Sequence, residues 1–232
     1  MIGVYDYTVI LTYLSMISGC TGIIISMTGI GHPFVGALFL MVSGLCDAFD
    51  GRVARSKKDR TKLEKAFGVQ IDSFSDLIAF GVLPASIGIA MLRSSDRYTD
   101  RPQWLENGKY AWYPILLVGI AVIYVLAGMI RLAYFNATEE EREEEAKTKG
   151  NHYFTGLPIT TVSIVTPLVL ILHYYIQFDF SIVYFIVLFI LAALYLTKFK
   201  LRKPGRLGIL LQVLVGAGEF IVITCILLSN FV

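Results

Sequence analysis

Asp47-Ala48-Phe49-Asp50-Gly51-Arg52-Val53-Ala54-Arg55, followed by Gly68-Val69-Gln70-Ile71-Asp72-Ser73-Phe74-Ser75-Asp76, decides how this chain is read. Four carboxylates lie inside or against two long apolar segments. A carboxylate at membrane depth costs at least about 2.5 kcal/mol unless it is paired, metal-bound or in a water-filled cavity. Read as helices, Asp47, Asp50 and Ala54 fall at i, i+3 and i+7, and Gly68, Asp72 and Asp76 at i, i+4 and i+8. Each set therefore forms one stripe. The connection between the segments is short, so the helices run antiparallel and can point two carboxylates each into a shared space. Oxygen ligands suit Mg²⁺, Mn²⁺ or Ca²⁺; no His lies close by to favour zinc, and Cys46, next to Asp47, reads as a small hydrophobe. Four carboxylates can hold a pair of divalent ions, as phosphoryl-transfer sites do.

The rest of the composition sets these stripes in a membrane. The chain has 232 residues, of which 56% are hydrophobic and 16% charged. A soluble domain carries roughly 25% charged residues, so surface charge has given way to lipid contact. The net charge of +2 gives no reason to expect nucleic acid. Cys20, Cys46 and Cys225 sit in apolar contexts without a CxxC pattern and read as small hydrophobes. No basic stretch followed by a small-residue cleavage site opens the chain, so a removable signal peptide is not expected.

A span needs about 20 mostly apolar residues. Seven segments qualify, at about 9–30, 33–54, 67–92, 112–135, 156–176, 180–197 and 207–228. The sixth is short enough that six spans is the alternative count. The expected fold is an all-α polytopic helical bundle, a single domain over 1–232 with its signature at 47–76. Lys and Arg concentrate after the second span (Arg55, Lys57, Lys58, Arg60, Lys62, Lys65) and after the sixth (Lys198, Lys200, Arg202, Lys203, Arg206). An even number of crossings separates these loops, so both face one side, which the positive-inside rule makes cytoplasmic. With seven spans the N-terminus is cytoplasmic and the C-terminus outside. Trp104, Trp112 and Tyr113 fall at the outer interface, as an aromatic belt requires.

Small residues and a cation complete the site. Gly51 follows Asp50, Ala54 lies on its stripe and Gly68 opens the second one. Small side chains let a bulky ligand reach the helix backbone, although they also permit close helix packing in membranes. Arg55 is suited to gripping phosphate. These residues leave two classes open, a phosphoryl- or phosphatidyl-transferring enzyme and a divalent-cation transporter. A transporter is expected to break helices or place ligands at the bilayer midplane. Here the carboxylates crowd toward one interface beside a basic loop, which favours the enzyme.

The pattern Asp47-x2-Asp50-Gly51-x2-Ala54-Arg55, then Gly68-x3-Asp72-x3-Asp76, resembles the signature of the CDP-alcohol phosphatidyltransferases, with eight fixed residues in order. Twelve residues separate Arg55 from Gly68, more than the family pattern carries, and the surplus reads as a longer polar surface loop. The resemblance implies that a CDP-linked lipid binds through its pyrophosphate and that an alcohol attacks the lipid-side phosphorus, expelling CMP. It implies that Asp47, Asp50, Asp72 and Asp76 bind metal (Mg²⁺ or Mn²⁺, two ions per site), with Asp76 also the general base. It places Gly51, Ala54 and Gly68 against the nucleotide and Arg55 on phosphate. Thr12-x2-Ser15-x3-Gly19 is similar to the family's TxxNxxxG, with Ser15 replacing Asn, and adds Thr12 and Ser15 to the CDP-lipid site.

Three further stretches resemble the serine-using branch of the family. These are 71–85, similar to LDSLADxVSFGVAPA; Arg131-Leu132-Ala133-Tyr134-Phe135-Asn136, similar to RLARFN with Tyr134 where Arg is frequent; and Phe154-Thr155-Gly156-Leu157-Pro158, similar to FxGLP. They imply transfer of a phosphatidyl group from CDP-diacylglycerol to L-serine, with Arg131, Asn136 and Thr155 binding the serine carboxylate or a phosphate. Phosphatidylglycerophosphate or phosphatidylinositol-phosphate synthesis is the alternative within the family, and an archaeol lipid is an alternative donor. The resemblance also implies a homodimer; the expected location is a prokaryotic cell membrane, with the site on the cytoplasmic side that the basic loops mark.

Other polar residues read as structural. The acidic run 139–145 is expected to be a solvated helical extension or linker. His32, His152 and His173 are scattered. Glu219, in the last span after Gly216-Ala217-Gly218, is an intramembrane acid expected at a helix or subunit interface rather than in the site.

Overall fold

The computed structural model describes residues 3–29, 33–94, 112–139, 141, 153–176, 180–202 and 205–229. Among the described residues eight α-helices follow one another: α1 (Ile10–Thr28), α2 (Pro33–Ser56), α3 (Lys62–Asp76), α4 (Leu83–Ser94), α5 (Trp112–Ala137), α6 (Val162–Ile176), α7 (Ser181–Leu196) and α8 (Arg206–Ser229). A π-helical turn, Leu77–Val82, joins α3 to α4 without a break, so the third span is one helix from Lys62 to Ser94. It begins earlier than hydropathy suggests because Thr61 caps it: Glu64 N–H donates to Thr61 Oγ1 at 3.2 Å and Thr61 N–H to Glu64 Oε2 at 2.7 Å. This reciprocal box supports a charged first turn that no apolar pattern announces.

Six of these helical segments are long and apolar enough to cross a membrane, and α7, of 16 residues, is the shorter one, as the sequence foreshadows. The protein is an integral membrane protein of polytopic helical fold. The first helix packs through its small and hydroxyl-bearing residues rather than through its isoleucines. The buried face of α1 is Thr12, Ser15, Ser18, Gly19, Gly22 and Ser26, while Ile10, Ile17 and Ile24 point outward. Lipid tails are as apolar as leucine, so helices associate through small residues and hydroxyl groups that let backbones close up. Ser43 Oγ donates to the Ser15 carbonyl at 3.0 Å and Ser18 Oγ to the Phe39 carbonyl at 2.8 Å, stapling α1 to α2.

One addition to the all-helical expectation is a short antiparallel ribbon. Strand β1 (Tyr153–Thr155) pairs with β2 (Lys200–Arg202) in the register Tyr153 to Arg202, Phe154 to Leu201 and Thr155 to Lys200. The ribbon joins the segment before α6 to the segment after α7, so α6 and α7 form an out-and-back pair. Lys57, after α2, likewise reaches Asp6, ahead of α1. At the other end of the bundle Arg93 Nη1, closing α4, donates to the Met27 carbonyl of α1 at 2.7 Å. The ribbon, the Lys57 tether and the α2–α3 connection thus share one end. His32, His152, Trp104 and all of 139–145 except Glu139 and Glu141 lie outside the described residues.

Candidate active site

Gly19 and a π-turn set how closely α1 packs beside the second carboxylate stripe. A β-carbon on Gly19 would stand 3.1 Å from the Ala79 Cα, so α1 meets the π-turn backbone to backbone. Within the turn the Leu83 N–H donates to the Ile78 carbonyl, five residues back. Pro84 has no N–H to give, and the Phe80 carbonyl four residues before it accepts the buried Tyr124 hydroxyl of α5 at 2.6 Å. The irregularity begins directly after Asp76. Such π insertions, here satisfied from a neighbouring helix, often mark functional sites.

Asp47 and Asp50 of α2 and Asp72 of α3 each present a carboxylate oxygen, and these oxygens all lie within 4.8 Å of one another. Asp76, 9% exposed, stands outside that trio and within hydrogen-bonding reach of Asp47, as Asp72 is of Asp50. Thr12 Oγ1 donates to Asp50 Oδ2 at 3.5 Å, and Ser75 Oγ to the Thr12 carbonyl at 3.1 Å. Carboxylates this close repel strongly in a poorly screened setting, and a hard divalent cation offsets that with the all-oxygen donors it prefers. The residues present therefore fit the ion that the sequence suggests.

The remaining expected residues fall into three groups. Gly51 and Gly68 flank the carboxylates, and each lies under a guanidinium: Arg55 Nη1 is 3.3 Å from the β-carbon position of Gly51, and Arg60 Nη2 is 2.6 Å from that of Gly68. Ala54 is half-buried on the same face of α2. Ser15 is buried in the α1–α2 staple, one turn along α1 from Thr12. Asn136, at the end of α5, donates through Nδ2 to Ser73 Oγ at 2.7 Å, which pins α5 next to Asp72.

Arg131, 9% exposed, donates through Nε to the Leu157 carbonyl at 3.2 Å and covers the Phe135 ring at 5.9 Å. Gly156 adopts φ of 76°, and a β-carbon there would stand 3.0 Å from the Thr197 carbonyl oxygen and 3.4 Å from the Arg131 guanidinium carbon. Only glycine suits that backbone and that space. Its N–H donates to the Phe199 carbonyl at 2.6 Å, which extends the ribbon. Thr155 sits on β1, in register with Lys200. Glu219 is 7% exposed on α8, which packs on α6 and α2, and neither carboxylate oxygen has a hydrogen-bond partner among the described residues.

Sequence reading did not anticipate three contacts. Lys57 bridges Asp6 and Glu64, at 2.7 Å each, and holds the Asp6 carboxyl down at about 2, with help from Thr8. Lys198 Nζ lies 4.6 Å above the Tyr134 ring. Arg60 covers Gly68. All three join residues from separate elements, and the only signal for them was the basic character of the two loops.

Comparison with known proteins agrees with the geometry. The chain is 33% identical over 162 residues to the CDP-diacylglycerol--serine O-phosphatidyltransferase of Saccharomyces cerevisiae, covering 66% of this chain and 50% of that one. A protein of the same name from Helicobacter pylori is 32% identical over 144 residues, covering 61% and 48%. An archaetidylserine synthase of Methanothermobacter thermautotrophicus is 32% identical over 155 residues, covering 67% and 53%. The chain spans about half the length of these curated relatives. The sequence model of the CDP-alcohol phosphatidyltransferase family matches residues 8–199. A match that starts just ahead of α1 and stops just ahead of β2 takes in both stripes and the helices that position them, and the chain belongs to the CDP-alcohol phosphatidyltransferase family.

Proposed function

We propose that this protein transfers a phosphatidyl group from CDP-diacylglycerol to the hydroxyl of L-serine, giving phosphatidylserine and CMP. The observation that carries the reading is the facing of Asp47 and Asp50 with Asp72 and Asp76 at the basic end of a membrane bundle. The relatives named for serine transfer support the choice of acceptor. Asp47, Asp50 and Asp72, with Asp76 beside them, would hold Mg²⁺ or Mn²⁺. When bound, such ions offset the charge of the pyrophosphate and of the departing CMP.

The chain's own residues do the rest. Asp76 accepts the proton of the serine hydroxyl as its oxygen bonds to the lipid-side phosphorus. The bond from that phosphorus to the bridging oxygen breaks, and CMP leaves with the electron pair. Gly51, Ala54 and Gly68 leave room for the nucleotide against the helices, Thr12 orients Asp50, and Arg55 holds phosphate. Arg131 matches the serine carboxylate, with Asn136 and Thr155 on the same side. Ser15 acts in the lipid site through the α1–α2 staple.

The positive-inside pattern supports a cytoplasmic site, and the bacterial and archaeal relatives support a prokaryotic cell membrane. The packing of α8 on α2 and α6 supports a single domain. We carry the homodimer forward as the proposed assembly. The archaetidylserine synthase relative favours one second reading, the same serine acceptor with an archaeol donor.

The test is CMP release by purified protein with CDP-diacylglycerol or its archaeol counterpart, with Mn²⁺ or Mg²⁺, and with serine, glycerol 3-phosphate, inositol phosphate or no acceptor. Serine-dependent release is expected. Release driven by another acceptor would keep the family and remove serine, and ion flux without turnover would restore the transporter.

A further inference from the structure

Arg60 lies in the part of the α2–α3 loop that the longer spacer supplies, one residue ahead of the Thr61 cap. Its Nη2 donates to the Glu64 carbonyl at 3.1 Å and sits 2.6 Å from the β-carbon position of Gly68. Its Nε is buried and has no acceptor among the described residues, where Arg60 also forms no ion pair. The loop beneath it is fixed at both sides, by the Thr61–Glu64 box and by Lys57 between Glu64 and Asp6. A charged donor left without an acceptor is costly, and a guanidinium that swings out from this position can match two oxygens of one phosphate.

Its place on the helix says which phosphate. Gly68 opens the Gly68, Asp72, Asp76 stripe, so Arg60 covers the loop end of it, about 6 Å of helix rise from Asp72 and about 12 Å from Asp76. A CDP-linked lipid has its acyl chains in the bilayer and its nucleotide on the water side. The phosphate at the loop end is then the one attached to the nucleoside. Arg55 covers Gly51 on the facing helix in the same way.

We propose that Arg60 is a nucleotide-binding residue that grips the phosphate departing with CMP, its side chain moving off Gly68 to let the nucleotide lie against α3. This rests on the CDP-lipid reading above. The pair Arg60 and Arg55 then holds the nucleoside monophosphate from the α2–α3 loop and from α2, and Arg60 does not contact the acceptor.

The experiment measures binding of CMP and of cytidine to the full-length protein in detergent with Mg²⁺, by calorimetry, together with KM for both substrates. It compares wild type, Arg60→Gln and the control Lys58→Gln, which removes an exposed charge from the same loop. Arg60→Gln is expected to weaken CMP at least about tenfold, the scale of a lost charge-assisted contact. Cytidine affinity and the KM for serine stay unchanged, which also reports an intact fold. Lys58→Gln binds CMP as wild type does. Equal CMP affinity in wild type and Arg60→Gln, or an equal loss in Lys58→Gln, overturns the assignment while turnover by the wild type leaves the activity standing. A wild-type protein that neither binds CMP nor turns over CDP-lipid removes both.

Discussion

The carboxylates of α2 and α3 and the carboxylate of α8 all lie on apolar helices and differ in company. Asp47, Asp50, Asp72 and Asp76 converge from two helices, with oxygens of the first three within 4.8 Å of one another. Glu219 is as buried as Asp76, and neither of its oxygens has a partner among the described residues. The family match takes in the first set and ends before α8. An isolated acid in a bundle bears on stability and assembly. Several acids aimed at one point offer the all-oxygen donor set that a polyvalent cation prefers.

The largest effect should separate the two regions directly. Asp76→Asn or Asp50→Asn is expected to lower serine-dependent CMP release by at least about 100-fold, the scale of a lost general base or ligand. Glu219→Gln should stay within about twofold, because neither of its oxygens has a partner among the described residues and it lies on α8, outside both stripes. Comparable losses in both would erase the distinction.

Ion removal sharpens it further. A chelator should abolish CMP release, and added Mg²⁺ or Mn²⁺ should restore it. Adding the ion at about 100 times its Kd should also stabilise the wild type by about 2.7 kcal/mol in thermal unfolding. Glu219→Gln should keep that increment and Asp72→Asn should lose it.

A smaller effect tests how the π-turn presents Asp76. Tyr124→Phe leaves the buried Phe80 carbonyl without its 2.6 Å donor, and we expect a loss of about 1–3 kcal/mol in stability. Activity should fall more than in Glu219→Gln if the turn positions Asp76.

The smallest effect concerns Asp6, an acid that meets a lysine at the surface. Lys57 lowers its folded pKa to about 2, below the unfolded value of about 4. The tether's contribution is therefore complete above about pH 4 and is lost on acidification toward about 2. Asp6→Asn should remove that acid-sensitive component from the unfolding profile with little change at neutral pH, since exposed pairs contribute little.

The helical stripes were legible because helix periodicity is local: residues four apart share a face whatever the surroundings. The spans were legible because lipid imposes about 20 apolar residues on any helix that crosses. Lys62–Ala66 was missed as helix because its support is the Thr61–Glu64 box, which hydropathy ignores. The π-turn was missed because its cause lies partly in Gly19 and Tyr124, on other helices. The ribbon was missed because its strands have three residues each and are separated by two helices.

By itself the sequence determined that this is a membrane bundle, that four carboxylates form two stripes on antiparallel neighbours, and that a basic loop stands beside them. Those are consequences of periodicity and of the cost of charge in lipid, which act residue by residue. Only the tertiary structure decided that three carboxylates form a tight trio with Asp76 set against Asp47, that Ser15 is taken up in a helix staple, and that Arg60 lies over Gly68. These depend on how closely backbones approach. That distance is set by Gly19, Gly156 and the hydroxyl staples acting between helices, and no single segment encodes it.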